Sequence, residues 1–169
     1  MRKILTAMKT PLLASLLTLA VSFPAFADSS VVLSDVHNCC KKCDNGITDA
    51  VSKVQGATAT VDKSKVTITA KDEATVKQAV ESLLKSGYFG EGAQAPAVAD
   101  TKVKSATVSG LHLCCGKCVT AADKAVKSVA GVAAHNAEKG SATFTVEGDF
   151  STKALNDALH KAGFHGAIK

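Results

Sequence analysis

Two stretches carry nearly all of the reactive chemistry of this chain: VHNCCKKC at residues 36–43 and LHLCCGKC at 111–118. Each places a histidine and three cysteines within seven residues, and together they hold all six cysteines. Thiols and an imidazole at this spacing can do three kinds of chemistry. They can close structural disulfides, exchange disulfides with a partner through the C-x-x-C pairs 40–43 and 115–118, or ligate a soft metal ion.

Each option makes a demand on the pattern. A disulfide framework wants an even number of thiols closing long loops, whereas each cluster is odd, adjacent cysteines bridge only under strain, and Cys40–Cys43 encloses almost no chain. Thiol exchange is served by C-x-x-C, but the element order described below is not the thioredoxin one, and Pro96 is the only proline after residue 27. A soft-metal site needs clustered thiolates with an imidazole, which H-x-C-C-x-x-C supplies from one short segment.

The elements that must position these residues repeat as well. Shifting the chain by 75 residues pairs His37 with His112, Cys39 with Cys114, Cys40 with Cys115 and Cys43 with Cys118. The same shift pairs Val51 with Val126 and Gly56 with Gly131; one added residue near Gly140 then matches Leu83 with Leu159, Gly87 with Gly163 and Tyr88 with Phe164. Such self-similarity predicts two copies of one unit. EGAQAPAVADT, residues 91–101, is poor in large apolar residues and is expected to link them.

Within each copy a β-prone run (31–36 and 105–111) leads into the cluster. Ile47, Ala50, Val51 and Val54, and Ala122, Ala125, Val126 and Val129, then recur at helical spacing. Alternation follows, with Val66, Ile68 and Ala70, and Ala142, Phe144 and Val146, facing inward from a hairpin. A second helix is predicted through Val76, Ala79, Val80, Leu83 and Leu84, and through Leu155, Ala158, Leu159 and Ala162, ending at Gly87 and Gly163. FHGAIK suggests a last strand, and YFGEGA suggests a weaker one. The predicted class is α+β, two ferredoxin-like βαββαβ sandwiches in tandem over 29–90 and 103–169, joined by 91–102. That topology opens the cluster loop toward Tyr88 and Phe89 in one copy and toward Phe164 and His165 in the other. A cysteine at the start of the first helix is biased toward thiolate by the helix dipole and by Lys41, Lys42 and Lys117.

On these residues both copies resemble the heavy-metal-associated domain of copper chaperones, mercury-binding periplasmic proteins and the N-terminal modules of metal-pumping ATPases. The likeness spans about 60 residues of each copy, resting on the C-x-x-C loop, the element order and the pairs Gly87–Tyr88 and Gly163–Phe164. It implies Cys40 with Cys43, and Cys115 with Cys118, as core ligand pairs. This chain departs from the family loop M-x-C-x-x-C: Asn38 and Leu113 stand where the methionine belongs, and Cys39, Cys114, His37 and His112 are additions. If Cys39 were the first family cysteine, His37 would take the methionine position. Two thiolates suit near-linear Cu(I), while a third thiolate with an imidazole approaches the four ligands of Zn²⁺. The resemblance favours copper. Because neighbouring cysteines fit one ion poorly, Cys39 is expected to serve a second ion or a second protein.

The remaining histidines read differently. His135 and His160 have no counterpart in the other copy and read as ordinary; His165, beside the second cluster, is a lesser candidate for the metal's surroundings.

Residues 1–27 combine Arg2, Lys3 and Lys9 with an apolar run and the small residues AFA at 25–27, so a signal peptide cleaved after Ala27 is expected. Its removal takes the net charge from +5 to +2, since those three residues are basic and none of the 27 is acidic. A near-neutral chain with one Tyr and no Trp offers nothing for nucleic acid. No paired carboxylates and no Ser/His/Asp set stand at catalytic spacing, so no enzyme is expected. The sequence thus predicts a periplasmic or secreted protein, free of the membrane after cleavage. It would bind Cu(I) or Zn²⁺ through Cys/His loops and exchange it with a metal-transporting or metal-accepting protein. A thiol oxidoreductase or an interaction protein with oxidised cysteines is the alternative.

Overall fold

The first strand, β1 (Ser29–Leu33), begins two residues earlier than predicted and ends where Asp35 turns left-handed at φ 56. That turn takes Val36 out of the strand while keeping its side chain buried, and its N–H donates to the Ser64 carbonyl. The computed structural model describes residues 28–169; the expected leader, residues 1–27, lies outside the described residues.

Helix α1 (Lys41–Ser52) buries Cys43, Ile47, Ala50 and Val51 on one stripe. The hairpin of β2 (Ala57–Asp62) and β3 (Lys65–Ala70) follows, with Val66, Ile68 and Ala70 inward as the alternation requires. Helix α2 (Glu73–Lys85) starts at Asp72, whose carboxylate accepts from the Thr75 N–H at 2.7 Å. Ser82 ties it to α1 by donating to the Ala50 carbonyl at 2.6 Å. The sheet order is β1-β3-β2, antiparallel throughout. The weak last strand of this half is reduced to a single bridge, Ser34 with Glu91.

The second half repeats the plan with β4 (Lys102–Ser109), α3 (Gly116–Lys127), β5 (Val132–His135), β6 (Thr143–Ser151), α4 (Thr152–Lys161) and β7 (Ala167–Ile168). Its sheet has the full order β5-β6-β4-β7, so the ferredoxin-like arrangement is complete here. Phe144 and Val146 point inward, but Ala142 lies outside β6 and is exposed, contrary to the alternation reading. Two register shifts, at Val103/Ser105 and Val132/Ala134, bend this sheet.

Both second helices end in the same way. Gly87 (φ 89) and Gly163 (φ 81) take the left-handed conformation, and the N–H groups of Tyr88 and Phe164 reach back to the carbonyls of Leu83 and Leu159. The aromatic residue after each glycine therefore turns inward and is buried. One continuous core of buried side chains runs through both halves, each large aliphatic such as Ile68 or Leu159 contributing about 1.5–3 kcal/mol.

The linker is pinned at both ends. Ser34 and Glu91 exchange backbone hydrogen bonds at 3.0 and 2.7 Å, while Asp100 accepts from Ser151 and the Thr101 carbonyl accepts from Thr152. Between these ties Ala93 and Ala95 pack half-buried against the core, and Pro96 is exposed. Among the described residues no helix is long and apolar enough to cross a membrane.

Candidate metal centre

The two Gly-aromatic turns cross each other. Phe89 donates its N–H to the Gly163 carbonyl at 3.0 Å, and His165 donates its N–H to the Gly87 carbonyl at 3.1 Å. Tyr88 and Phe164 pair as a bridge between the halves. Each glycine is also crowded by the other half: a β-carbon on Gly87 would fall 2.5 Å from the Gly110 oxygen, and one on Gly163 would strike the backbone of Asp35 and His37. Only glycine permits this approach, and the contact has the pseudo-twofold character of a symmetric dimer inside one chain.

Because each turn lies against the other half's loop, the aromatic contacts cross over. Phe164 stacks on His37 with centroids 4.4 Å apart, and Tyr88 stacks on His112 at 3.8 Å. The expectation that Tyr88 faces its own cluster also holds, since its hydroxyl donates to the Cys43 carbonyl at 3.4 Å.

This docking brings the two clusters face to face. Cys39 Sγ lies 3.4 Å from Cys115 Sγ and 3.6 Å from Cys118 Sγ, and Cys43 Sγ lies 3.7 Å from Cys114 Sγ and 3.9 Å from Cys118 Sγ. Within each loop the C-x-x-C pairs stand at 3.9 Å (Cys40–Cys43) and 3.5 Å (Cys115–Cys118). All six thiols are free. Cys43 and Cys118, on the first turns of α1 and α3, are fully buried, whereas Cys39, Cys40, Cys114 and Cys115 are partly exposed. Cys40 and Cys115 line an open groove beside Lys117, Thr120 and Lys124.

Both histidines join the thiols. His112 Nδ1 sits 2.7 Å from the Gly87 carbonyl, which can only accept, so Nδ1 carries the proton and Nε2 is left as a bare lone pair. That Nε2 and the corresponding atom of His37 are buried without a hydrogen-bond partner. His37 groups with Cys39 and Cys118, and His112 groups with Cys43 and Cys118, each set with ligand atoms within 4.8 Å of one another. A buried polar nitrogen without a partner costs stability, and a soft cation among the sulfurs would satisfy both. Burial depresses both imidazole pKa values, that of His112 to about 4, which keeps them neutral and able to ligate.

The thiols divide by position. Cys40 and Cys115 are the N-caps of α1 and α3; no cap hydrogen bond closes on either sulfur, yet the N–H groups of the first turn, pointing toward the helix start, draw both toward thiolate. For Cys40 the groups responsible are the N–H of Cys43 and then of Lys42, and for Cys115 chiefly that of Cys118, which bring the Cys115 pKa to about 6. Burial works the other way on Cys39, pushed up to about 12, on Cys114, at about 11, and on Cys118. A cation entering would meet at the rim the two sulfurs whose deprotonation the helix starts favour, and would displace protons from the inner ones.

All eight residues picked from the sequence converge here. The two added cysteines are used alike, each reaching across to the other half: Cys39 to Cys115 and Cys118, and Cys114 to Cys43. At the methionine positions, Asn38 instead donates to Asp44 at 2.6 Å and to the Lys63 carbonyl at 2.7 Å, bracing the loop, and Leu113 is core. His165 stands apart from the thiols. Its Nδ1 lies 3.0 Å from His160 Nε2, and His160 stacks on Phe89 of the other half. His135 pairs with Asp123 at 2.9 Å. Sequence reasoning missed the meeting of the clusters and the bridging parts of Gly87, Tyr88, Gly163 and Phe164, although their matched positions in the repeat were the signal.

No protein family and no curated protein matches the chain. Among solved structures, the N-terminal soluble domains of CopA from Bacillus subtilis are 20% identical at a TM-score of 0.33, covering 85% of this chain and 95% of that one. A second structure, of the water-soluble region of the P-type ATPase CopA from the same organism, is 18% identical at a TM-score of 0.33, covering 85% and 92%. Likenesses this distant carry no argument; the fold stands on the strand orders given above.

Proposed function

We propose that this chain is an exported soft-metal-binding protein that takes up Cu(I) or Zn²⁺ through its Cys/His loops and sequesters it or passes it to a protein offering similar thiols. The observation that carries the reading is the convergence of six free thiols and two buried, partnerless imidazole nitrogens at one place. Thiolate and imidazole donors select soft and borderline cations over Mg²⁺ or Ca²⁺. Cys40 and Cys115 at the groove give an incoming or departing ion exposed first ligands, and exchange can proceed one ligand at a time. Export rests on the leader at residues 1–27. No catalytic role is proposed.

The test is to express residues 28–169, reduce them fully, and measure metal stoichiometry and free thiols together for wild type and for the double variant Cys40→Ser with Cys115→Ser. Tight binding of Cu(I) or Zn²⁺ by wild type, weakened in the double variant, supports the proposal. A second reading is favoured by the lowered pKa of Cys40 and Cys115: thiol–disulfide exchange through the C-x-x-C pairs. Turnover of a disulfide substrate by wild-type protein that binds neither metal would replace the metal reading with this one.

A further inference from the structure

We propose that the two loops do not hold one ion each but together form a single polynuclear cage, in which six bridging thiolates bind about four Cu(I) ions. The inference rests on the soft-metal reading above and goes beyond it in ligand sharing, stoichiometry and metal.

The sulfurs are arranged as such a cage requires. Three triangles of mutually close ligands are Cys39–Cys40–Cys115, Cys40–Cys43–Cys114 and Cys114–Cys115–Cys118; contrary to the expectation that neighbouring cysteines fit one ion poorly, the first and third hold adjacent sulfurs within 4.8 Å of a shared third ligand. A fourth is Cys39–Cys43–Cys118, with edges of 3.8, 3.6 and 3.9 Å. These four triangles touch only at corners, and every thiol belongs to two of them. They are alternate faces of a sulfur octahedron. An ion at the centre of a face with metal–sulfur bonds of about 2.3 Å needs sulfurs roughly 4 Å apart, close to the spacing already present. Six thiolates each shared by two ions, at three thiolates per ion, then give about four ions.

The rest of the site agrees with this arrangement. Three of the faces take ligands from both halves, so neither half can build the cage alone. The bare nitrogens of His37 and His112 group with edges of the fourth face, Cys39 with Cys118 and Cys43 with Cys118, and supply extra donors at its most buried side. Six thiolates and about four monovalent cations leave roughly two negative charges; the N-termini of α1 and α3 and the lysines at the groove, Lys117 and Lys124, oppose them. Tetrahedral Zn²⁺ at a closed four-ligand site would use only some of the thiols and leave others unbound.

The test is an anaerobic titration of the reduced full chain with Cu(I), delivered from a weaker competing ligand and followed by native mass spectrometry, which also reads the N-terminus of the protein. Expected at half-saturating copper are the metal-free chain and a species with about four ions, with one-ion forms scarce, and X-ray absorption showing a short copper–copper vector. Cys115→Ser with Cys118→Ser should abolish the multi-ion step; so should Cys114→Ser, at a partly exposed position that leaves the buried thiols in place. Filling by two independent one-ion steps, with the double variant keeping one ion at unchanged affinity and no copper–copper vector in wild type, would overturn the cage and leave soft-metal binding standing. No uptake of Cu(I) by reduced wild type would overturn both.

Discussion

The two halves agree where they meet and differ where they do not. Both present H-x-C-C-x-x-C, both cap the first helix with a cysteine, and both end the second helix in a left-handed glycine followed by a buried aromatic. Away from the contact they part: the first sheet has three strands and the second four, and only the second carries register shifts. Even the loop differs in detail, with Lys41–Lys42 opposite Gly116–Lys117. The difference teaches that the repeat serves the junction and its thiols, while the outer edge of each sheet is free to vary.

The sharpest way to break that symmetry is at the crossing glycines. Gly163→Ala and Gly87→Ala each add a β-carbon against the other half's backbone at a left-handed φ, and each should cost more than about 4 kcal/mol in denaturant unfolding. Gly56→Ala has a similar φ of 84 with open space around it, and should cost only about 1–2 kcal/mol. Equal losses at Gly163 and Gly56 would show that backbone conformation alone, not the junction, matters. Next come the aromatics: Phe164→Ala should cost about 3–5 kcal/mol, because the ring is fully buried. Tyr88→Phe keeps its ring and loses only a 3.4 Å hydrogen bond, for about 1 kcal/mol or less.

The capping pair asks whether the halves melt as one. Ser151→Ala removes the cap of α4 and should cost about 1 kcal/mol by calorimetry. Asp72→Ala removes the matching cap of α2. If the junction couples the halves, both variants shift one common transition; two transitions, each moved by only one variant, would show that they unfold separately. The smallest expected effect is the pH dependence of the Asp72 cap. Hydrogen bonds from Thr75 lower the Asp72 pKa, so its contribution is present above the ordinary carboxylate value and fades as pH falls through the lowered one. The gap between wild type and Asp72→Ala should therefore narrow below about pH 4. A gap that stays constant down to pH 2 would mean the cap acts without its charge.

Much of this was readable from residue order. The stripe Ile47, Ala50 and Val51 and the alternation Val66, Ile68 and Ala70 are local periodicities, and local periodicity survives folding unchanged. Ala142 misled because an apolar residue before a strand looks like one within it; the small alanine loses little by staying exposed. The last strand faded in YFGEGA because Gly90 and Gly92 bend the chain there against Leu33 and Val32. The eight Cys and His residues that meet at the junction were legible individually, since duplication marked them. Their union was not, because it depends on backbone contacts between residues about 75 positions apart, which no periodicity encodes. What hinted at it was arithmetic: an odd thiol and an imidazole in each loop, with no partner of their own.

The pinned linker sets the terms on which the halves find each other. With Glu91 tied to the first sheet and Asp100 and Thr101 tied to the start of α4, the short span between them holds each half at about a millimolar effective concentration of the other. At ordinary protein concentrations ring closure within one molecule outcompetes exchange between molecules. Proteolytic nicking near Pro96 would remove that advantage, and the thiol site of the severed protein would then come apart on dilution.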